Sequence, residues 1–260
     1  MTDENRPLVV LAGVDETDCP AWAAALIDAE GDYAVAVYSE RGRYVARLAD
    51  DGAALVIADG DGADWGYWTT TPKSSPATRR VPIVIVSEDA DRRAEGLTAG
   101  ADFALVPDTI MKDLPALLKE HARVPDPALA EQLDCECGAA LPELARQGVE
   151  KFNAGEYYKQ HDLFEALWME TEGPVRDLYR AILQVGVAYF QIVRGNHRGA
   201  HKMLLRSVQW LAALPDVCQG IDVAALKADS ARVRAELERL PEDAIGQFDR
   251  SLLQPVKYVE

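Results

Sequence analysis

Ala54-Leu55-Val56-Ile57-Ala58-Asp59 and Pro82-Ile83-Val84-Ile85-Val86-Ser87 decide the fold of the first half of this chain. Each is a short apolar run that ends in a polar residue. A strand with water on one face alternates in polarity, whereas a strand apolar at every position must be covered on both faces, as in the middle of a parallel sheet. Working outward, Leu8–Ala12, Tyr33–Val37 and Phe103–Val106 are runs of the same kind. The stretches Ala21–Ala29, Tyr44–Ala49, Arg92–Ala99 and Ile110–His121 between and after them read as helices. This alternation predicts a doubly wound five-stranded parallel sheet over residues 1–124. The third helix of such a fold should fall within Gly60–Arg80. The sequence there, GDGADWGYWTTTPKSSPATRR, is rich in glycine, proline and threonine, so the expectation is a rearranged loop.

A chain of 260 residues is long for one core and comfortable for two. Its net charge of −16 is spread over both halves: residues 1–125 carry 22 acidic and 12 basic side chains, residues 126–260 carry 21 and 15. Phosphate backbones repel such a surface, so no nucleic-acid partner is expected. The polar start Met1–Pro7 does not resemble a secretory signal, and no apolar run is long enough to span a membrane. The expected location is cytoplasmic, with no membrane partner. Cys19, Cys135, Cys137 and Cys218 are too few and scattered for a disulfide framework, and reduced thiols are expected. Cys135 and Cys137 have no second pair at zinc-finger spacing.

Residues 125–137 carry two prolines near their start and read as a linker, with helix possible before Cys135. Beyond it every strong period is helical: Gly138–Phe152, Glu156–Thr171, Arg176–Arg194, Asn196–Leu214 and Val223–Leu240. A bundle of four to five helices over 138–260 follows, making the chain α/β plus all-α. No Walker loop, nucleophile elbow or GxGxxG stands in a strand-to-helix context, and no cofactor is implied.

The residues at the strand ends resemble the receiver domain of bacterial response regulators, a flavodoxin-like fold. Asp59 stands where that family has its phosphoacceptor, Ser87 where it has a Ser or Thr after strand four, and Ala99-Gly100-Ala101-Asp102 matches the turn before strand five. The resemblance implies a divalent cation held by an acidic pair at the end of strand one. Here Leu11-Ala12 is followed by Gly13-Val14, leaving Asp15 or Glu16 to reach the site. The family's lysine before the proline after strand five is replaced in Val106-Pro107. The expectation is a pseudo-receiver, with Asp59, Ser87 and Asp15 as a degenerate phosphoacceptor site.

Phe152-Asn153-Ala154-Gly155-Glu156-Tyr157-Tyr158, His161, Glu165, Trp168, Gly173-Pro174, Gln184, Arg194-Gly195-Asn196 and Gly199-Ala200 together resemble the family catalogued as domain of unknown function 309, with a core over about 145–214. The resemblance implies a compact helical fold and no established activity. His161, Glu165 and Trp168 share one helix face at i, i+4 and i+7. Asp177, Arg180, Gln184 and Gln191 form a polar stripe on an otherwise apolar helix, and a buried Gln184 would need partners, for which His161 and Glu165 are the first choices. His161, Glu165, Trp168, Arg180, Gln184 and Asn196 are the candidate polar pocket. Three readings compete: an internal hydrogen-bond network, a small-ligand pocket, and a metal site in which His197 and His201 join His161 and Glu165. Tyr189, Gly195-Asn196 and Ala200 echo tetratricopeptide spacing, but no second copy follows at a 34-residue offset.

These features predict a regulatory or adaptor protein, with a protein partner or homodimer docking on the front domain and a small molecule or protein on the helical one. The alternative is a metal-dependent or acid/base enzyme using His161 and Glu165.

Overall fold

The N-terminal unit is built on β1 (Leu8–Ala12), β2 (Ala34–Tyr38), β3 (Ala53–Asp59), β4 (Ile83–Val86) and β5 (Phe103–Leu105). The computed structural model describes residues 6–15, 17–29, 32–124 and 126–259, and divides at 124/125 into two compact units. All strand pairs of the sheet are parallel, in the order β2-β1-β3-β4-β5. This is the flavodoxin-like arrangement, and the reason is visible in β3 and β4, which are buried at every position.

Alternate residues feed two cores. Val10, Ala12, Val56, Ala58, Ile83 and Ile85 face one side, packing with Tyr44, Leu48 and Trp68. Val9, Leu11, Leu55, Ile57, Val84 and Val86 face the other, packing with Trp22, Leu26, Ile110 and Leu114. The helices supplying these residues are α1 (Ala21–Asp28), α2 (Tyr44–Asp50), α3 (Trp65–Ser74) and α5 (Ile110–His121), while α4 (Ala90–Ala99) packs beside β4 and β5.

The loop expected within Gly60–Arg80 is instead α3. Tertiary packing overrides its poor propensity: Trp68 is 3% exposed and meets Tyr44 edge-on at 4.8 Å. The threonines are reconciled with the helix by bonding back one turn. Thr69 and Thr70 hydroxyls donate to the Trp65 and Gly66 carbonyls at 2.8 and 2.7 Å. Pro72 falls in the last turn.

The second unit contains six α-helices among the described residues: α6 (Pro127–Cys137), α7 (Glu143–Asn153), α8 (Tyr157–Glu170), α9 (Arg176–Val193), α10 (His197–Leu211) and α11 (Val223–Arg239), of which α7 to α11 are the bundle expected over 138–260. The sixth, α6, occupies the segment read as a linker that could turn helical before Cys135, and it runs from Pro127 through Cys137. Asp126 caps it through Ala128 N–H, Pro127 occupies its first turn, and Leu133 and Cys137 enter the core of this unit. The helix expected from Gly138 starts later, at Glu143, after Pro142. A short hairpin, β6 (Val217–Cys218) with β7 (Ile221–Asp222), separates α10 from α11. Arg176–Val193 is the central helix: α8 packs on one flank and α10 on the other.

The expectation of reduced thiols is corrected for one pair. Cys137 and Cys218 form a disulfide that ties the end of α6 to β6, leaving Cys19 and Cys135 free. The pairing depends on hairpin geometry that cysteine spacing does not reveal. The same junction is hydrogen-bonded: Gln219 N–H donates to the Cys137 carbonyl at 2.7 Å, and the buried Tyr179 hydroxyl donates to Gln219 Oε1 at 2.8 Å. Among the described residues no helix is long and apolar enough to cross a membrane.

Candidate functional site

The carboxyl ends of β1 and β3 open into a cavity of about 810 Å3, lined by Gly13, Asp15, Asp59, Asp61, Glu88 and Asp108 among others. Parallel strands place it there because the loops at that edge diverge on either side of the order reversal. Asp59, the last residue of β3, is 9% exposed. Burial pushes its carboxyl above the usual aspartate range, partly opposed by the hydrogen bond its Oδ1 accepts from Asp61 N–H at 3.1 Å.

Ser87 follows β4 and is fully buried. Its hydroxyl donates to Asp61 Oδ1 at 2.5 Å, and Glu88 N–H donates to the other oxygen of Asp61 at 3.2 Å. Asp61 was missed in the sequence. Its signal was the Asp59-Gly60-Asp61 spacing, which puts a second carboxylate just beyond the strand end. Asp15 lines the same cavity but sits exposed in its loop, where the Thr17 hydroxyl and N–H donate to its Oδ1 and hold its carboxyl below the usual range. Glu16, the other acid considered, lies outside the described residues.

The cations near this edge serve other acceptors. Arg92 donates to the Gly60 carbonyl at 3.2 Å and stacks over Trp65, and Arg93 donates to the Ser87 carbonyl at 2.6 Å. Lys73 pairs with Asp102 at 2.6 Å. A divalent cation of the kind the receiver resemblance implies does not fit this arrangement. Asp15 is turned to Thr17 and Asp61 to Ser87 and Glu88, and no three His, Cys, Asp or Glu side chains converge on an ion site among the described residues.

In the helical unit the six expected residues separate into three places. His161 is half-buried, pairs with its neighbour Asp162 at 3.2 Å, and lies against the Tyr158 ring; Glu165 is exposed. Neither bonds Gln184, whose Oε1 is buried without a partner. The buried amide of α8 is instead Gln160, one residue earlier, donating to the Leu183 carbonyl at 3.3 Å. It lies over Gly186, where a Cβ would stand 2.3 Å from its Nε2, so the mid-helix glycine was the readable signal.

Asn196 is a helix cap: its Oδ1 accepts from Gly199 N–H at 3.0 Å and its amide donates to Gln191 Oε1 at 2.8 Å. It stands roughly 20 Å from Arg180 at about 1.5 Å per helical residue. Trp168 and Arg180 do meet. The Arg180 guanidinium lies 4.6 Å from the Trp168 ring and 3.7 Å from that of Trp210, a residue the sequence reading did not include.

The four-ligand metal reading is not realised. His197 Nε2 contacts the Leu237 carbonyl at 2.7 Å and His201 contacts Glu238 at 3.2 Å, both on α11, while His161 and Glu165 are on α8.

Residues 145–203 match the family described as domain of unknown function (DUF309). An uncharacterized protein of Aquifex aeolicus (strain VF5) is 22% identical over 87 residues, 33% of this chain; the chain covers only 26% of that protein's length. Among solved structures, full-length FixJ from B. japonicum is 17% identical and overlays with a TM-score of 0.33, over 80% of this chain and 97% of that one. That overlay is too loose to carry an argument. The receiver-like character of the N-terminal unit rests on its own strand order and on Asp59 and Ser87 at the strand ends.

Proposed function

We propose that this chain is a regulatory adaptor whose receiver-like domain docks a protein partner or a second copy of itself without phosphoryl transfer to Asp59, and whose helical domain is the recognition module. The observation that carries this reading is the commitment of Ser87 to Asp61, in a cavity with six carboxylates and no basic side chain in its described lining. An incoming phosphoryl group would meet repulsion there, with neither a lysine nor a fitted cation to offset it. A largely apolar groove along α5, closed by the chain leading into β2 and lined by Tyr33, Met111, Leu114, Leu118 and Val124 with Asp32 and Lys119 among its polar residues, favours docking, with Met111 and Val124 about half exposed. The enzyme alternative gains no support from an exposed Glu165 and a His161 paired with its neighbour.

The test is incubation of the full chain with acetyl phosphate and magnesium, read by intact mass. The expected result is no added phosphoryl group. A mass gain of one phosphoryl group that Asp59→Asn abolishes would refute the proposal.

A further inference from the structure

The chain is acidic, yet α10 contains no aspartate or glutamate. It carries Arg198, Lys202 and Arg206 at four-residue spacing, along with His197 and His201. One end of this basic row meets the Trp168–Arg180–Trp210 stack. Because α9 and α10 run antiparallel about the Gly195 turn, contact between Arg180 and Trp210 brings Gln184, one turn on, opposite Arg206, one turn back.

Of the eleven buried side-chain polar atoms without a partner among the described residues, four belong to the residues around this stack: Trp168 Nε1, Trp210 Nε1, Arg206 Nε and Gln184 Oε1. Gln184 as a residue is 5% exposed, whereas both indoles and both arginines are partly exposed. Buried polar groups are nearly always satisfied, and each one left orphaned weakens the fold. Three donors and an acceptor on residues of α8, α9 and α10 beside a stacked guanidinium describe the complement of a ligand. With each ring stacked on Arg180, the indole N–H groups lie in the ring planes, at the edges of the stack.

We propose that Trp168, Arg180, Gln184, Arg206 and Trp210 form a binding site for a small oxyanion that carries its own hydroxyl group. The anionic oxygens take the two indole N–H groups and the Arg206 Nε–H, beside the stacked Arg180 charge, and the hydroxyl donates to Gln184 Oε1. Hydrogen phosphate is the inorganic form of this chemistry and an α-hydroxy-carboxylate the organic form. Sulfate has the same shape but no hydrogen-bond donor at neutral pH, so it leaves the Gln184 oxygen orphaned. This inference rests on the recognition role proposed for the helical domain, and uses nothing of the Asp59 site.

The experiment follows the indole N–H signals of the 15N-labelled full chain during titration with inorganic phosphate, glycolate or sulfate. Trp168→Phe and Trp210→Phe spectra assign two of the five tryptophans. The expected result is saturable movement of these two signals, with Trp22, Trp65 and Trp68 unmoved, and sulfate binding at least about fivefold more weakly than the better of the other two. Whichever of phosphate and glycolate binds more tightly identifies the source of the oxyanion. Arg206→Gln should weaken binding at least about tenfold. Lys202→Gln, exposed and one turn away, should change it less than twofold. Still signals, equal affinity for sulfate, or equal losses in Lys202→Gln and Arg206→Gln would each overturn the site. Phosphorylation of Asp59 would instead refute the adaptor reading, so the two failures are distinguishable.

Discussion

Removing the Cys137–Cys218 bond should cost the helical unit much of its stability. The two cysteines are 81 residues apart in sequence, so the crosslink closes most of α7 to α10 into one loop. The chain-entropy relation for a loop of that length gives roughly 15 cal/mol/K, about 4.5 kcal/mol at 25 °C. Native domains are stable by only about 5–15 kcal/mol, so the loss is a large fraction of the total. It is an upper figure. The Gln219–Cys137 and Tyr179–Gln219 hydrogen bonds pin the same junction and survive the change.

The perturbation is Cys137→Ala with Cys218→Ala, which leaves no unpaired thiol at buried positions. Urea unfolding followed by tryptophan fluorescence reports both units. The transition of the helical unit, reported by Trp168 and Trp210, should fall by about 2 M for a slope near 2 kcal/mol/M. The N-terminal transition, reported by Trp22, Trp65 and Trp68, should stay in place. Two results would refute the reasoning: an unchanged midpoint, or four titratable thiols in the unreduced, unfolded wild type where Cys19 and Cys135 alone should react.

Two further outcomes follow from single positions. A Cβ at Gly148 would stand 2.6 Å from the Phe164 ring, which is fully buried, so Gly148→Ala should destabilise the helical unit by about 1–3 kcal/mol in thermal unfolding despite alanine's better helix propensity. Asp59 has its carboxyl raised by burial, so the folded state binds its proton more tightly and the N-terminal unit loses stability as pH rises from the unfolded value through the folded one. Asp59→Asn should therefore raise its melting temperature at pH 7, with the gain vanishing near pH 3.5; an equal gain at both pH values would show that the charge is not the cause.

The sequence by itself determined the α/β unit and the helical character of the rest. Strands apolar on both faces and helices with a clear period need no distant partner to be read, because burial is written into each residue's own polarity. Asp59 and Ser87 were legible through the resemblance to receiver domains, which reads the polar residue that ends each of these apolar strands as a site position. What depended on pairing was decided only in three dimensions. The helix at Trp65–Ser74 exists because Trp68 finds Tyr44, and the disulfide because β6 returns to the end of α6. The buried polar side chain on α8 is Gln160 and not His161, since a one-residue step rotates a helical side chain by about 100°. Trp168 and Trp210 meet on Arg180 through the packing of α8, α9 and α10, a register that no single helix encodes.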